Sequence, residues 1–248
     1  LIRSYYDGAF AFKNGDNNRP DSEAGTTLMG IVFSLFTNDE SMFFKFRGSM
    51  GEVVFTPFYL LLKSYGVQFK FFHRVDELKL NEDKTQIEEV IIGKQVNCTS
   101  KDGSYDPLVD IKGIKCWPSE PKYELIAEGD RLQQMKSEGK NVNLESFWTE
   151  WEDVDEIRMK KGRDFDELIF GIPVASVPYL CTELIEANPR WQDMVSQMET
   201  VATQAVQIWI DRSARELGWN YPKSTIYTTF EEPLDTWCAN PELVPLEQ

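Results

Sequence analysis

Residues 46 to 80, FRGSMGEVVFTPFYLLLKSYGVQFKFFHRVDELKL, constrain this chain more than any other stretch. They read as a small-residue turn, an apolar helix, a glycine stop and a strand feeding a hairpin. From 52 to 65 the apolar residues Val53, Val54, Phe58, Leu61 and Leu62 fall on one connected helical face. Pro57 belongs in the first turn or two of that helix, or else it kinks it. Gly66 stands where a left-handed residue ends a helix. Residues 67 to 72 are β-rich, and Val75, Leu78 and Leu80 continue the apolar pattern. NEDKT (81–85) is a turn, and 87–92 form a returning strand.

Around this segment the pattern is less regular. Residues 25–36 are apolar enough for a buried helix, and 42–46 (MFFKF) for a short strand. The block 97–164 looks like an insertion, with a strand at 108–117 interrupted by Gly113 and then a charged, helix-compatible stretch to Lys140. Between Glu120 and Glu167 there are 14 acidic and 8 basic residues, which reads as a solvated helical face. Trp148 and Trp151, three apart, cover either a core edge or a partner surface, core being the favoured role. FDELIFGIP (165–173) is a strand with a proline stop, followed by a helix from Ser176 or Pro178 to Glu186 and another at 190–198. TVATQAVQIWI (200–210) alternates as a long strand, with STIYTTF (224–230) as its antiparallel neighbour.

Composition narrows the function classes. A net charge of −15 argues against a nucleic-acid partner, because phosphate backbones are met by Lys/Arg surfaces. Hydrophobic residues at 42% and charged residues at 27% are ordinary for a globular protein, and no apolar run approaches a transmembrane span. Cys98, Cys116, Cys181 and Cys238 are widely separated and His73 is the sole histidine, so no zinc-ligand spacing occurs. Four isolated thiols fit a reducing cytoplasm. No GxGxxG, Walker, GxSxG or HExxH motif is present. The chain opens at Leu1 in mid-pattern, which predicts that the parent protein begins further upstream.

On the residues alone, the turn Gly48-Ser49-Met50-Gly51 either packs or binds an anion at a helix start, and His73 is a packed or edge residue. A resemblance adds to this. The order GSMGEVVFTPFYLLL, then HRVDEL, then FDELIFGIPVASVP, is similar to that of the flavin amine oxidase superfamily, which includes monoamine oxidase, protoporphyrinogen oxidase and phytoene desaturase. The text resembles bacterial amine-oxidase-like FAD- or NAD(P)-binding oxidoreductases over roughly 40–95 and 163–240.

The resemblance implies an α+β fold with a mixed, largely antiparallel sheet of about five or six strands. Helices flank this sheet, and the whole is a substrate domain with part of a flavin-binding domain. Its parts are 1–47, a helical and aromatic start; 48–96, a segment bordering the flavin domain; the acidic insertion 97–164; and 165–248, the return of the substrate domain. The hairpin at 75–92 is expected to pair with, or lie beside, residues 165–172. Val75 resembles the valine whose backbone meets the FAD adenine, and Ile172 and Pro173 the strand end on the adenosine side. Gly48, Met50, Gly51 and Glu52 resemble the turn near the substrate cavity. Thr203, Gln204 and Gln207 lie where many relatives carry a lysine beside the flavin, and this stretch has no lysine. Glu52 equally serves as a helix-start carboxylate, and the glutamines as polar residues of a strand face.

The implied function is the substrate-binding portion of an FAD-dependent oxidoreductase that removes a hydride from an apolar or ring-containing small molecule. Its flavin-binding domain lies in cis, and the chain by itself is inactive. The alternative is a non-catalytic interaction module whose partner surface includes Trp148 and Trp151.

Overall fold

The computed structural model describes residues 12–37, 46, 48–198, 200, 203–220, 226–228, 234 and 236–240. It divides into two compact units, Val54–Glu199 and a second made of Leu1–Val53 with Thr200–Gln248. Helices and small antiparallel sheets together make an α+β chain.

In the discontinuous unit, α1 (Ala24–Phe36) forms where the apolar run predicts it. Glu23 precedes it in extended conformation, and Thr26 Oγ1 donates to the Glu23 carboxylate at 2.8 Å. This fixes a negative charge at the helix start, where the macrodipole favours it. The expected burial does not occur: Thr27 is buried, while Leu28, Met29, Phe33 and Phe36 are exposed. The strand expected at 42–46 falls almost wholly outside the described residues.

A π-type turn at Gly51–Phe55 leads into α2 (Thr56–Ser64), the first helix of the continuous unit, which carries Pro57 in its first turn. Gly66, at φ +88°, takes the left-handed position after it. The face that packs is not the predicted one. Tyr59 is buried, edge-on to Phe69 at 4.7 Å and to Trp117 at 5.4 Å, and Phe58, Leu61 and Leu62 are exposed. Neighbouring aromatic rings offer Tyr59 more contact area than the aliphatic stripe finds.

β1 (His73–Leu80) and β2 (Ile87–Lys94) form the predicted hairpin. Asn81 closes it: its N–H donates to the Gln86 carbonyl at 3.0 Å, and its Oδ1 accepts from Thr85 N at 2.9 Å. β3 (Val109–Ile111) and β4 (Ile114–Cys116) form a second, tight hairpin. Lys112 (φ +54°) and Gly113 (φ +82°) form its turn, so the residue that interrupts the predicted strand reverses it. α3 (Gly129–Ser137) follows, stopped by Gly139 at φ +82°.

β5 (Asp155–Lys160) pairs antiparallel with β2, giving the order β1-β2-β5. Among the described residues the sheet therefore has three strands where five or six were expected, and its third comes from the block read as an insertion. Residues 165–172 form no strand. After β5 the chain turns at once, with Gly162 N–H donating to the Phe165 carbonyl at 2.7 Å. Phe165 and Phe170 then fill the core instead of lining a ladder. The segment thus lies beside the hairpin without pairing to it.

α4 (Val177–Leu180), α5 (Thr182–Ala187) and α6 (Pro189–Gln197) follow. Leu78, Val90 and Ile92 present one sheet face to Val177 and Cys181, joined by Ile157 and Met159 at the alternating positions of β5. Each such fully buried aliphatic side chain contributes about 1.5–3 kcal/mol. A second core gathers Val96, Ile126, Leu132 and Trp151. β6 (Ile226–Thr228) pairs with β7 (Thr236–Cys238) in the discontinuous unit. Residues 203–210, expected as its long strand partner, have no regular structure. Among the described residues no helix is long and apolar enough to cross a membrane.

Candidate functional site

Three places have the geometry to hold a ligand or partner, and the first is the open edge of the sheet. Among the described residues β1 pairs on one side only, which makes it an edge strand. Gln95 N–H donates to the Phe72 carbonyl at 2.9 Å, across the pair His73–Lys94. Antiparallel ladders alternate, so Val75, opposite Ile92, is a non-hydrogen-bonded position whose own N–H and C=O point away from β2. Its side chain packs on the first core. Phe170 and Val174 pack on that same core, and between them stand half-buried Ile172 and exposed Pro173. The fold therefore brings Val75 and the residues flanking the 172–173 step, Phe170 and Val174, far apart in sequence, onto one core.

Arg74, next to Val75, bonds Asp76 at 2.6 Å and Asp153 at 2.8 Å. The Asp76 bond is the main reason its guanidinium is pushed above its ordinary value. The cluster stands directly over Gly93, where a Cβ would fall 2.0 Å from Asp153 Oδ2. At the other end of β1, Glu183 accepts Leu80 N–H at 2.7 Å and lies 3.2 Å from Lys79 Nζ.

The expected substrate residues all belong to the other unit. Gly48 is required locally, since a Cβ there would meet Val53 Cγ1 at 2.7 Å. Ser49 accepts Gly51 N–H at 3.2 Å through its Oγ, which also bonds the Glu52 carboxylate. Glu52 is thus engaged as part of a helix-start cap. Met50 is exposed and Gly51 half-buried. Thr203, Gln204 and Gln207 are exposed in irregular chain rather than on a strand. Their expected neighbour, within 224–230, gives β6, which pairs locally with β7.

The second place is a cavity of about 500 Å³ in the continuous unit. Phe71, Phe72, Tyr105, Trp117 and Tyr123 wall it, with Pro107, Pro118 and Pro121 at the corners and Leu132, Val142 and Leu144 opposite. The rings hold one another edge-on, Phe72 to Tyr105 at 4.8 Å and Phe71 to Tyr105 at 5.6 Å. Lys122 N–H donates to Tyr105 Oη at 2.8 Å. At the rim, Lys136 pairs with Glu120, which accepts from Tyr123 Oη at 2.7 Å. Burial, and then this bond, push the Tyr123 hydroxyl up to about 12. Trp117 Nε1 is buried with no hydrogen-bond partner. The sequence reading passed over this site. Its available signal was the run of aromatics and prolines between 105 and 123, within the block read as an insertion.

The third is an exposed aromatic group. The Phe147 ring centroid lies 5.9 Å from that of Trp148 and 5.9 Å from that of Tyr179, and Trp148 is 79% exposed. Trp151 is not part of it: it is 3% exposed in the second core, its Nε1–H donating to the Gln95 carbonyl at 2.7 Å. No protein-family model matches the chain, and neither a curated protein nor a solved structure matches it.

Proposed function

We propose that this chain is the substrate-side portion of an FAD-dependent oxidoreductase of the amine oxidase and desaturase type. It acts on an apolar or ring-containing small molecule, with a flavin-binding domain in cis. One observation carries the reading. The residue that resembles the adenine-contacting valine, Val75, has its backbone N–H and C=O directed away from β2 on a sheet edge that is open among the described residues, and Phe170 and Val174, which bracket Ile172 and Pro173, pack on the same core as its side chain. An in-plane donor and acceptor on one residue is the pattern an adenine edge pairs with, and it leaves side-chain identity free.

When bound, FAD supplies the hydride acceptor. The chain's own residues orient and shield. Val75 presents its amide pair, and the 170–174 step packs beside it. Unpaired apolar segments also support the reading: Ile169, in the middle of FDELIFGIP, is 95% exposed, and Phe58, Leu61 and Leu62 on the apolar face of α2 are exposed too. A flavin domain docked there removes that surface from water. Glu52, Thr203, Gln204 and Gln207 remain the residues proposed to meet the substrate.

The test uses a polypeptide carrying this chain together with its cis flavin domain, purified and read by flavin absorbance after gel filtration. Val75→Pro removes one N–H. That N–H points out of the ladder, so the strand tolerates the change while the adenine loses a donor. Flavin occupancy is expected to fall about tenfold or more, the worth of one buried hydrogen bond, and Val75→Ile is expected to keep it. Purification without flavin, and failure to take it up on mixing, would refute the reading. So would a Val75→Pro protein as yellow as the parent. The 248 residues alone contain no phosphate loop and are expected to lose FAD on the column.

The second reading, an interaction module, rests on the Phe147–Trp148–Tyr179 group. An exposed cluster of aromatics is what a protein partner anchors on. Retention of a partner by the parent protein, lost in Trp148→Ser while flavin content stays unchanged, would favour it.

A further inference from the structure

We propose that the cavity walled by Phe71, Phe72, Tyr105, Trp117 and Tyr123 is a binding site for a small uncharged aromatic molecule. The inference does not rest on the flavin reading, because every lining residue lies between Phe71 and Glu145 of one unit and the argument uses the walls alone.

Size comes first. About 500 Å³ lies within the range of small-molecule sites and suits a compound of two or three fused rings. Wall chemistry comes second. The rings meet edge-to-face, Tyr105 against both Phe71 and Phe72 and Tyr59 against Trp117, so their mutual orientation is set before a ligand enters. A preset wall lowers the ordering cost of binding. Phe72 holds φ at +59°, a strained conformation for a bulky residue. Strain of this kind at a residue lining a cavity is a known accompaniment of ligand sites.

Charge comes third, and it decides the ligand class. The rim cation Lys136 is paired with Glu120, and Glu120 is also bonded by Tyr123. Lys140 lies 3.9 Å from Glu138, and the Glu145 carboxylate also borders the opening. The positive charges at the mouth are matched by carboxylates, so an anionic ligand gains little. With the Tyr123 hydroxyl held neutral, the interior offers ring faces and edges, which pair with aromatic rings by offset stacking and edge contact.

The experiment uses the whole chain and 2-naphthol as the probe, followed by calorimetry and by the indole N–H resonances in NMR. The Trp117 resonance is identified as the one missing from Trp117→Phe. Saturable single-site binding is expected, with the Trp117 resonance moving and that of core-buried Trp151 staying. Asn143→Trp places a large side chain at the exposed rim and is expected to weaken binding by about tenfold or more. Trp148→Ser, outside the cavity, leaves binding unchanged. 2-Naphthoate is expected to bind more weakly than 2-naphthol. No saturation, a Trp117 resonance that does not move, or binding lost in Trp148→Ser but kept in Asn143→Trp overturns the site. Tighter binding of the carboxylate overturns the ligand class.

Discussion

Trp151→Phe removes one buried donor while keeping an aromatic ring, and its cost follows from the structure. Trp151 is 3% exposed and its Nε1–H lies 2.7 Å from the Gln95 carbonyl, which belongs to a residue only 5% exposed. Without that donor the carbonyl is left buried and unpaired, at about 1–3 kcal/mol. The smaller ring leaves a partial void worth about 1 kcal/mol. Arg131, 4.8 Å from the Trp151 ring, loses part of a cation–π contact, about 0.5 kcal/mol. The expected total is about 2.5–4.5 kcal/mol, equivalent to a fall in Tm on the order of 10 °C. Urea and thermal unfolding followed by far-UV circular dichroism measure it without depending on tryptophan fluorescence. Trp148→Phe, at an exposed neighbour, is the reference and is expected to stay within about 0.5 kcal/mol of the parent. The reasoning fails if Trp151→Phe is as stable as the parent, or if the Trp148 variant is the more damaged of the two.

Two further outcomes follow from the sheet. Gly93→Ala places a Cβ against Asp153, Asp76 and Arg74 on the central strand; opening that cluster is expected to cost about 1–3 kcal/mol in urea unfolding, more than the small strand preference for Ala returns. Glu183 is held below the ordinary glutamate value of 4.5, first by Leu80 N–H and then by Lys79. A depressed carboxyl contributes stability that is fully present above the unfolded value and is lost as pH falls through the folded one. Urea midpoints from about pH 5 down to about pH 3 are therefore expected to fall more steeply for the parent than for Glu183→Gln; parallel curves would rule the contact out as an acid-sensitive one.

The hairpin was legible because its determinants are local. Asn81 to Gln86 close the turn with their own backbone and one side chain, and the alternation on either side sets which residues face the core. Helix stops at Gly66 and Gly139 were equally local, each needing a positive φ. The outward direction of the Val75 amide pair follows from the hairpin register; that β1 is an edge does not, because it depends on β5, from the block read as an insertion, pairing with β2. The cavity was not legible, because its walls come from 71–72, 105–123 and 132–145 and no single window contains them.

The two segments that form no strand where one was expected, 165–172 and the described residues 203–210, share a different cause. Apolar alternation reports that a segment can cover a surface; it does not say that a neighbouring strand exists to receive its hydrogen bonds. In this chain β2 already has β1 on one side and β5 on the other, so FDELIFGIP has no place beside the central strand. Phe165 and Phe170 turn inward and Ile169 is left at 95% exposure. Residues 206–210 likewise leave Val206, Ile208, Trp209 and Ile210 exposed. Burying a side chain of this kind is worth about 1.5–3 kcal/mol, so several left in water on segments with strand patterning amount to an unmet interface. The proposed flavin domain in cis would supply that missing neighbour, and it does so for the segment that carries Ile172 and Pro173. The sequence pattern and the exposed surface therefore bear on the same proposal from opposite sides: one records a capacity to pair, the other records that within the described residues the pairing is unfilled.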